Sequence, residues 1–323
     1  MTGLTYDDIG RMRDQVFFEG PEANRRVTRF WLLLLLSAVI ASAGVVSDST
    51  ATVIGAMIVA PLMTPILGVV LGVVLTDEVN VRRCLGLLVA GAAAVVVVGW
   101  LLGFLVSYPV SAATNGQVAA RVTPRLVDLV AALATGSVGS VALARSDVSD
   151  TLPGVAIAIS LVPPLSVAGL TLQSGEPRQC LGALLLFATN VTAILASGIV
   201  VMALYRVGRV QAAVSAFRRP VGVAIIVLLL GAVLVPLRIN SQRVDKDMIQ
   251  QASVQAVAEH WASDASWLVV GVTATGDQVL VNATGPSPAP DLAVLRRDLG
   301  AVGLAGLDVR VSLVTASYQP LPK

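Results

Sequence analysis

Apolar positions run through this chain in long unbroken stretches. No Asp, Glu, Lys or Arg occurs in 30–47, 49–76, 84–120, 129–144, 151–175, 179–205 or 220–237. Each stretch approaches or exceeds the roughly 20 residues that carry a helix across a bilayer core. The pattern predicts seven spans, at 30–46, 51–75, 84–107, 126–143, 152–172, 180–204 and 220–237. Ahead of them, Tyr6 to Glu19 reads as a polar helix started by Thr5, with Asp8 three positions on as in a capping box. Ile9, Met12, Val16 and Phe17 recur there at helical spacing, so this helix is expected to lie against the membrane surface or a neighbouring subunit. Gly20-Pro21 ends it.

From Ile239 charges return and the period changes. Val244 to Ser263 reads as a helix, and Trp267–Thr275 and Gln278–Ala283 as strands about a Gly276-Asp277 turn. A second helix opens at Pro290-Asp291 and runs to Leu299, and Leu307–Thr315 is a last strand. The order αββαβ is that of a ferredoxin-like domain lacking its first strand. The expected architecture is therefore an all-α polytopic membrane protein of about seven transmembrane helices with a small C-terminal α/β domain. Its parts are an N-terminal amphipathic helix in 1–29, a transmembrane domain over 30–237 and a soluble domain over 239–323.

Composition agrees with the pattern. Of 323 residues 55% are hydrophobic and 13% charged, against about 25% charged in ordinary soluble domains. With 22 basic and 20 acidic residues, nucleic-acid binding has no electrostatic support; the expected partners are the lipid bilayer and further copies of the chain. Arg25, Arg26 and Arg29, an apolar run and Ala41-Ser42-Ala43 imitate a cleaved secretory signal. The late start of that run and the spans that follow make it a retained helix. Cys84 and Cys180 each open an apolar segment as packing residues. His260 is the single histidine, so no Cys/His metal spacing exists, and neither metal nor cofactor is expected.

Loop charge gives an orientation. With the N-terminus inside, the cytoplasmic side holds ten basic residues (Arg25, Arg26, Arg29, Arg82, Arg83, Arg145, Arg206, Arg209, Arg218 and Arg219). The opposite side holds six: Arg121, Arg125, Arg178, Arg238, Arg243 and Lys246. The excess predicts a cytoplasmic N-terminus in the cell inner (plasma) membrane. Seven spans then put the C-terminal domain outside.

An internal repeat runs through the spans. Asp48-Ser49 precedes Val53 to Pro65 as Asp150-Thr151 precedes Val155 to Ser166. At one offset Asp48 pairs with Asp150, Val53 with Val155, Pro61 with Pro163 and Thr64 with Ser166; Cys84-Leu85-Gly86 then matches Cys180-Leu181-Gly182. Units of three spans, 30–107 and 126–204, would be inverted relative to each other, with 220–237 as an extra helix. Inverted repeats with interrupted equivalent helices point to secondary transporters. Pro61 and Pro65 interrupt the second span, and Pro163 and Pro164 the fifth, freeing carbonyls near mid-bilayer. Such carbonyls hold an ion or polar solute only where they face protein or water; two kinked packing helices are the alternative.

Polar side chains mark where to look. Asp48 and Asp150 sit at the entries of the broken spans, as dipole-compensating caps or as coupling groups. Thr64 and Ser166 lie beside the breaks, and Asn190 lies deep in the sixth span as a clamp or a site residue. The candidate solute- or ion-binding set is Asp48, Pro61, Thr64, Pro65, Asp150, Pro163, Pro164, Ser166 and Asn190. Asp128 near Arg125 and Arg121 reads as a surface ion pair. The small residues of 135–140, Gly68-x-x-x-Gly72 and Gly99-x-x-x-Gly103 read first as packing motifs.

Met12-Arg13-Asp14 with Phe17-Phe18-Glu19-Gly20-Pro21, the stretch Asp48 to Gly68, and Asp150 to Leu165 closely resemble the bacterial family called domain of unknown function 389, over roughly residues 10–205. The resemblance implies a multi-pass membrane protein and no established activity. The leading functional expectation is a secondary transporter of a small solute or ion, and the alternative is an oligomeric channel or a sensor or scaffold regulated through the C-terminal domain. An intramembrane enzyme is not expected, because His260 lies outside the spans and neither HExxH nor Gly-x-Gly-Asp occurs. The topology is testable with single cysteines at Ser47, Asp147, Ser174 and Ser263 in a Cys84- and Cys180-free chain. An impermeant thiol reagent on intact cells should label all but the Asp147 position. Labelling of Ser47 and Asp147 from one side would refute inverted halves.

Overall fold

The computed structural model describes residues 6–145, 161–205, 207, 250–275, 278–304 and 306–315. The chain forms two compact units, Met1–Arg238 and Ile239–Lys323. In the first, the described elements are α1 (Tyr6–Val16), α2 (Ala23–Val46), α3 (Thr50–Val59), α4 (Met63–Leu75), α5 (Glu78–Gly103), α6 (Gly116–Val122), α7 (Leu126–Ala144), α8 (Val162–Gln173) and α9 (Pro177–Leu204). Helices α2, α5, α7 and α9 are long and apolar enough to cross a membrane, and α3 with α4, bent by 46° at a short break, passes the same test only as a pair.

Some expectations change here. The span expected at 51–75 is two helices, because Pro61 halts the first. Of the span expected at 152–172 only α8 falls among the described residues, and the span at 220–237 lies outside them. The apolar face of α1 (Ile9, Met12 and Val16) is buried against α4 and α7 of its own chain, so it does not lie on the membrane surface or on a neighbour.

Burial sorts the helices by role. In α4 ten of thirteen residues are buried, and in α8 ten of twelve; helices apolar all round and buried all round are central ones. In α5 only seven of 26 are buried, a single stripe from Asn80 through Cys84, Leu88, Gly91, Val95 and Gly99 to Gly103. Its other faces expose Val89, Val97, Leu101 and Phe104, as α2 exposes Leu32, Leu35, Leu36 and Val39. Those surfaces suit hydrocarbon.

Lipid gives helices no hydrophobic reason to associate, so close packing of small residues must hold them. A Cβ at Gly99 of α5 would lie 2.7 Å from the Ser166 carbonyl of α8, and one at Gly169 of α8 would run into the Val96 carbonyl of α5. Gly136 of α7 meets Ile194 and Ser197 of α9 in the same way, and Gly198 of α9 meets Ser140 of α7 and Val70 of α4. The stretch 135–140 and the Gly99 motif are thus packing surfaces, and Gly68 and Gly72 admit Cys84 and Val81 of α5.

The second unit holds a helix over 250–264, here α10, then β1 (Leu268–Thr275), β2 (Gln278–Gly285), α11 (Leu292–Ala301) and β3 (Asp308–Thr315). The strands fall where the alternation puts them. β1 pairs antiparallel with β2 from Thr275↔Gln278 back to Leu268↔Thr284, with a bulge near Gly271. β2 pairs parallel with β3, Gln278↔Asp308 to Gly285↔Thr315. In a ferredoxin-like sheet these two strands flank a central one; here they pair directly, so β2–α11–β3 is a βαβ unit. Val254, Ala258 and Trp261 of α10 pack with Val279, Val281, Ala283, Leu295 and Leu299. The Trp261 indole N–H donates to the Asp291 carbonyl at 2.9 Å, and the Asp291 carboxylate caps α11 at Ala293 N.

The glycine crossings make a direct prediction. Gly169→Val overpacks the α5–α8 contact and should destabilise by roughly 1–3 kcal/mol. Gly86→Ala, with nothing within 4 Å of the added carbon, should be neutral or stabilising. Thermal unfolding in detergent checks both.

Candidate functional site

The first helix break is built from local chemistry. Ser49 caps α3, accepting from Thr52 N at 3.3 Å. Twelve residues after Ser49, Pro61 forces Ala60 into extended backbone (φ −69, ψ 126). Lacking an N–H, Pro61 leaves the Met57 carbonyl without its usual partner. The neighbouring Ala56 carbonyl accepts from the buried Ser37 hydroxyl of α2 at 2.8 Å. The chain restarts with Thr64 N donating to the Pro61 carbonyl at 3.2 Å. Pro65 falls in the first turn of α4, where a missing N–H costs nothing. Pro65 is buried, while Pro61 and Thr64 are half-buried.

Of the second expected break only the C-terminal side falls among the described residues. α8 opens Val162-Pro163-Pro164, with no side-chain cap from Leu161. Ser166, one turn in, is fully buried, and its hydroxyl has no partner among the described residues. Asp150 lies outside the described residues. Asn190 and Thr189 are buried on α9, which packs on α4, α7 and α8; the Thr189 hydroxyl donates to the Leu185 carbonyl at 2.8 Å. The buried polar groups of α7, α8 and α9 are thus hydroxyls and one amide (Ser140, Ser166, Thr171, Thr189, Asn190 and Ser197), with no charged side chain among them. Among the described residues no group of three or more His, Cys, Asp or Glu could hold a metal ion.

Asp48 is elsewhere. It adopts left-handed backbone (φ 50) in the turn that ends α2, where Ser49 N reaches back to the Gly44 carbonyl at 2.9 Å. Its exposed carboxylate accepts from Gln117 N of α6 at 2.9 Å, and Gln117 Nε2 donates to Thr50 Oγ1 at 2.8 Å. Burial lowers the Arg121 pKa on α6, and the Asp48 charge opposes that shift. The ten residues of α3 set Asp48 about 15 Å from the Pro61 break. The structure therefore groups Pro61, Thr64 and Pro65, and separately Pro163, Pro164 and Ser166, while Asp48 fastens α6 to the α2–α3 turn.

Sequence reasoning overlooked a polar cluster at the other end of the bundle. Arg13 of α1 donates to Glu19 at 2.9 Å and to Asp77 at 3.1 Å. Asn80 Nδ2 donates to Glu19 and to Asp77, each at 2.9 Å, and Asp77 caps α5 through Asn80 N at 3.1 Å. Arg13 also lies over the Phe17 ring at 5.0 Å, and Arg83 donates to the Phe18 carbonyl at 3.0 Å. Arg13, Phe17, Phe18 and Glu19 all belong to the N-terminal motif, a signal that marked them without saying what they touch. Ser37 left only the trace of a hydroxyl inside a leucine run.

Burial alone would raise the Asp77 carboxyl; hydrogen bonds from Asn80 and the Arg13 guanidinium outweigh it and hold the pKa below its ordinary 3.8. A carboxyl depressed on folding contributes stability above its unfolded pKa, and that contribution disappears as pH falls through the lower folded value. Wild-type protein should therefore lose stability below about pH 4. Asp77→Asn should remove that part of the acid dependence while costing about 1 kcal/mol at neutral pH. Unfolding midpoints measured across pH check the difference.

Comparison with known proteins gives a similarity over part of the chain and no activity. The chain is 34% identical over 174 residues to an uncharacterised protein of Methanocaldococcus jannaschii, an overlap of 54% of this chain and 53% of that one; it spans about half the length of that relative. No solved structure matches. The family model of the domain of unknown function DUF389 matches residues 57–196, from the end of α3 through both proline breaks into α9. That match covers residues 57–196 and not the rest of the chain; over those residues the chain is similar to DUF389 domains, and its long apolar helices are consistent with an integral membrane protein.

Proposed function

We propose that this protein is a secondary transporter of a small solute or ion, with its site where the second and fifth spans are broken. The carrying observation is the pair α4 and α8. Both are short, apolar and buried on nearly every side, and both begin with prolines. They also run to opposite ends of the bundle. The α4 C-terminus meets α1 at Asp77, while that of α8 meets the segment before α6, where Val110 N donates to Ser174 Oγ at 2.9 Å. Two half-helices starting at mid-depth and diverging are what inverted three-span repeats would produce. Their terminations match as well. Left-handed Thr76 and Gly175 (φ 57 and 79) precede Asp77 and Glu176, whose N–H groups reach back to Gly72 and Thr171 at 2.8 and 2.9 Å.

Pro61, Thr64, Pro65, Pro163, Pro164, Ser166 and Asn190 would line the site, with Asp150 at the entry of the fifth span. The buried Ser166 hydroxyl is the group best suited to meet a solute. Half-helix N-termini carry partial positive charge, which favours a small anion or a neutral polar solute over a cation. Inner-membrane location, a cytoplasmic N-terminus, an extracytoplasmic C-terminal domain and homo-oligomeric assembly complete the reading. The open sheet face of the C-terminal unit, with Leu268, Val270, Leu280 and Val314 exposed, favours the second reading, a channel or sensor regulated through that domain.

Flux decides between them. Proteoliposomes would be challenged with chloride, phosphate, sodium and potassium gradients, with an internal pH dye. Saturable flux reduced at least tenfold by Ser166→Val supports the carrier. Non-saturating conductance supports a channel, and absence of flux for every probe supports the sensor.

A further inference from the structure

The spans alone do not exhaust the internal correspondence. α1 lies across one end of the bundle and α6 across the other, and their anchors match. Arg11 of α1 donates from Nη1 and Nη2 to the Leu143 and Ala144 carbonyls, both at 3.4 Å, at the C-terminus of α7. Asn115, the N-cap of α6, donates from Nδ2 to the Val45 carbonyl at 2.7 Å, at the C-terminus of α2. Helices α2 and α7 are the first spans of the two units. Each short helix thus precedes its own first span and donates to C-terminal carbonyls of the other one.

The opposite ends of the two short helices match too. The final carbonyl of α1, Val16 O, lies 4.0 Å from Cys84 Sγ of α5 and against Gly68 of α4. The final carbonyl of α6, Val122 O, lies against Gly182 of α9, two residues from Cys180. Cys180 packs in one cluster with Val118 of α6 and with Val167 and Ala168 of α8. Cys84 and Cys180 are the residues the repeat pairs, and each is buried beneath a short helix. Each short helix also has a side-chain anchor to a turn: Arg13 to Asp77 between α4 and α5, and Asp48 of the α2–α3 turn to Gln117 N of α6.

We infer that the repeating unit has four helical elements rather than three, and that α1 and α6 are its equivalent straps, released alternately to open one end of the bundle and then the other. The inference rests on the carrier reading for its cycle, since only alternating access requires two gates that exclude each other. The straps are suited to release. They sit at the bundle ends, where the Arg11 bonds are only part-buried, whereas ten of thirteen residues of α4 and ten of twelve of α8 are buried. Both straps are engaged in this structure, which is a state closed at both ends. Arg11 and Asn115 are positioning residues: they hold straps and touch no solute.

The two native thiols read the proposal. N-ethylmaleimide alkylation would be timed in membranes bearing full-length protein with Cys84 alone (Cys180→Ser) or Cys180 alone (Cys84→Ser). Arg11→Ala loosens α1 yet leaves Arg13 in place. Asn115→Asp removes the donor to Val45 and keeps an oxygen to cap α6. Arg11→Ala should speed Cys84 alkylation about threefold, the factor that loss of one exposed polar contact supplies, and slow Cys180 by a comparable factor. Asn115→Asp should do the reverse. Rates that rise together, or a strap that moves only its own thiol, overturn the inference. Should Arg11→Ala aggregate on size exclusion, Arg11→Lys with Asn115→Asp carries the same reciprocal test. Reciprocal alkylation without saturable flux would refute the carrier and leave the straps as gates; saturable flux without reciprocity would refute only the straps.

Discussion

A helix that stops halfway across a bilayer exposes carbonyls to a medium with nothing to donate to them, each at a cost of several kcal/mol. That constraint organises the membrane unit. Pro61 creates such a stop, so the carbonyls freed at the break need partners from neighbouring helices, although Ile58 and Val59 of α3 remain exposed. Ser37 of α2 donates to Ala56, and α4 is buried among α5, α9 and α1. α8, opening on two prolines, is surrounded by α2, α5 and α9 for the same reason. The long helices then take the lipid-facing positions by default, which is why their apolar residues are exposed while α4 and α8 have almost none outside.

Enclosing two short helices demands close approach, and glycine supplies it. Gly99 and Gly169 put backbone against backbone between α5 and α8, and Gly136 and Gly198 do so between α7 and α9. The same crossings press Ser140, Ser166 and Ser197 into the interior. Polar groups therefore arrive in the interior as a consequence of close packing. A buried hydroxyl such as Ser166 serves as both a small packing residue and a group able to meet a solute, so the two roles do not compete at that position.

The ends of the bundle follow different physics. There water competes, and charged and amide side chains make the closures: Arg13 with Glu19 and Asp77, Asn80 beneath them, and Asn115 and Asp48 at α6. Such contacts are individually worth about 1 kcal/mol or less. The unit thus combines an interior held by packing with ends held by weak, exchangeable polar contacts, a division that permits motion at the ends without loss of the core.

The residues by themselves determined where the described apolar segments lie, that Pro61 interrupts the second of them, and where the strands of the C-terminal sheet fall. Those features depend on run length, on a proline's missing donor and on alternation within a few residues, all of which are local. The tertiary structure alone decided the partners. Arg11 meets Leu143 across 132 positions, Asp48 serves α6 rather than the helix it precedes, and the apolar face of α1 is buried against its own chain. It also paired β2 with β3 in parallel where the expected fold places a strand between them. No spacing encodes these outcomes, because they depend on which surfaces remain uncovered once the half-helices are enclosed.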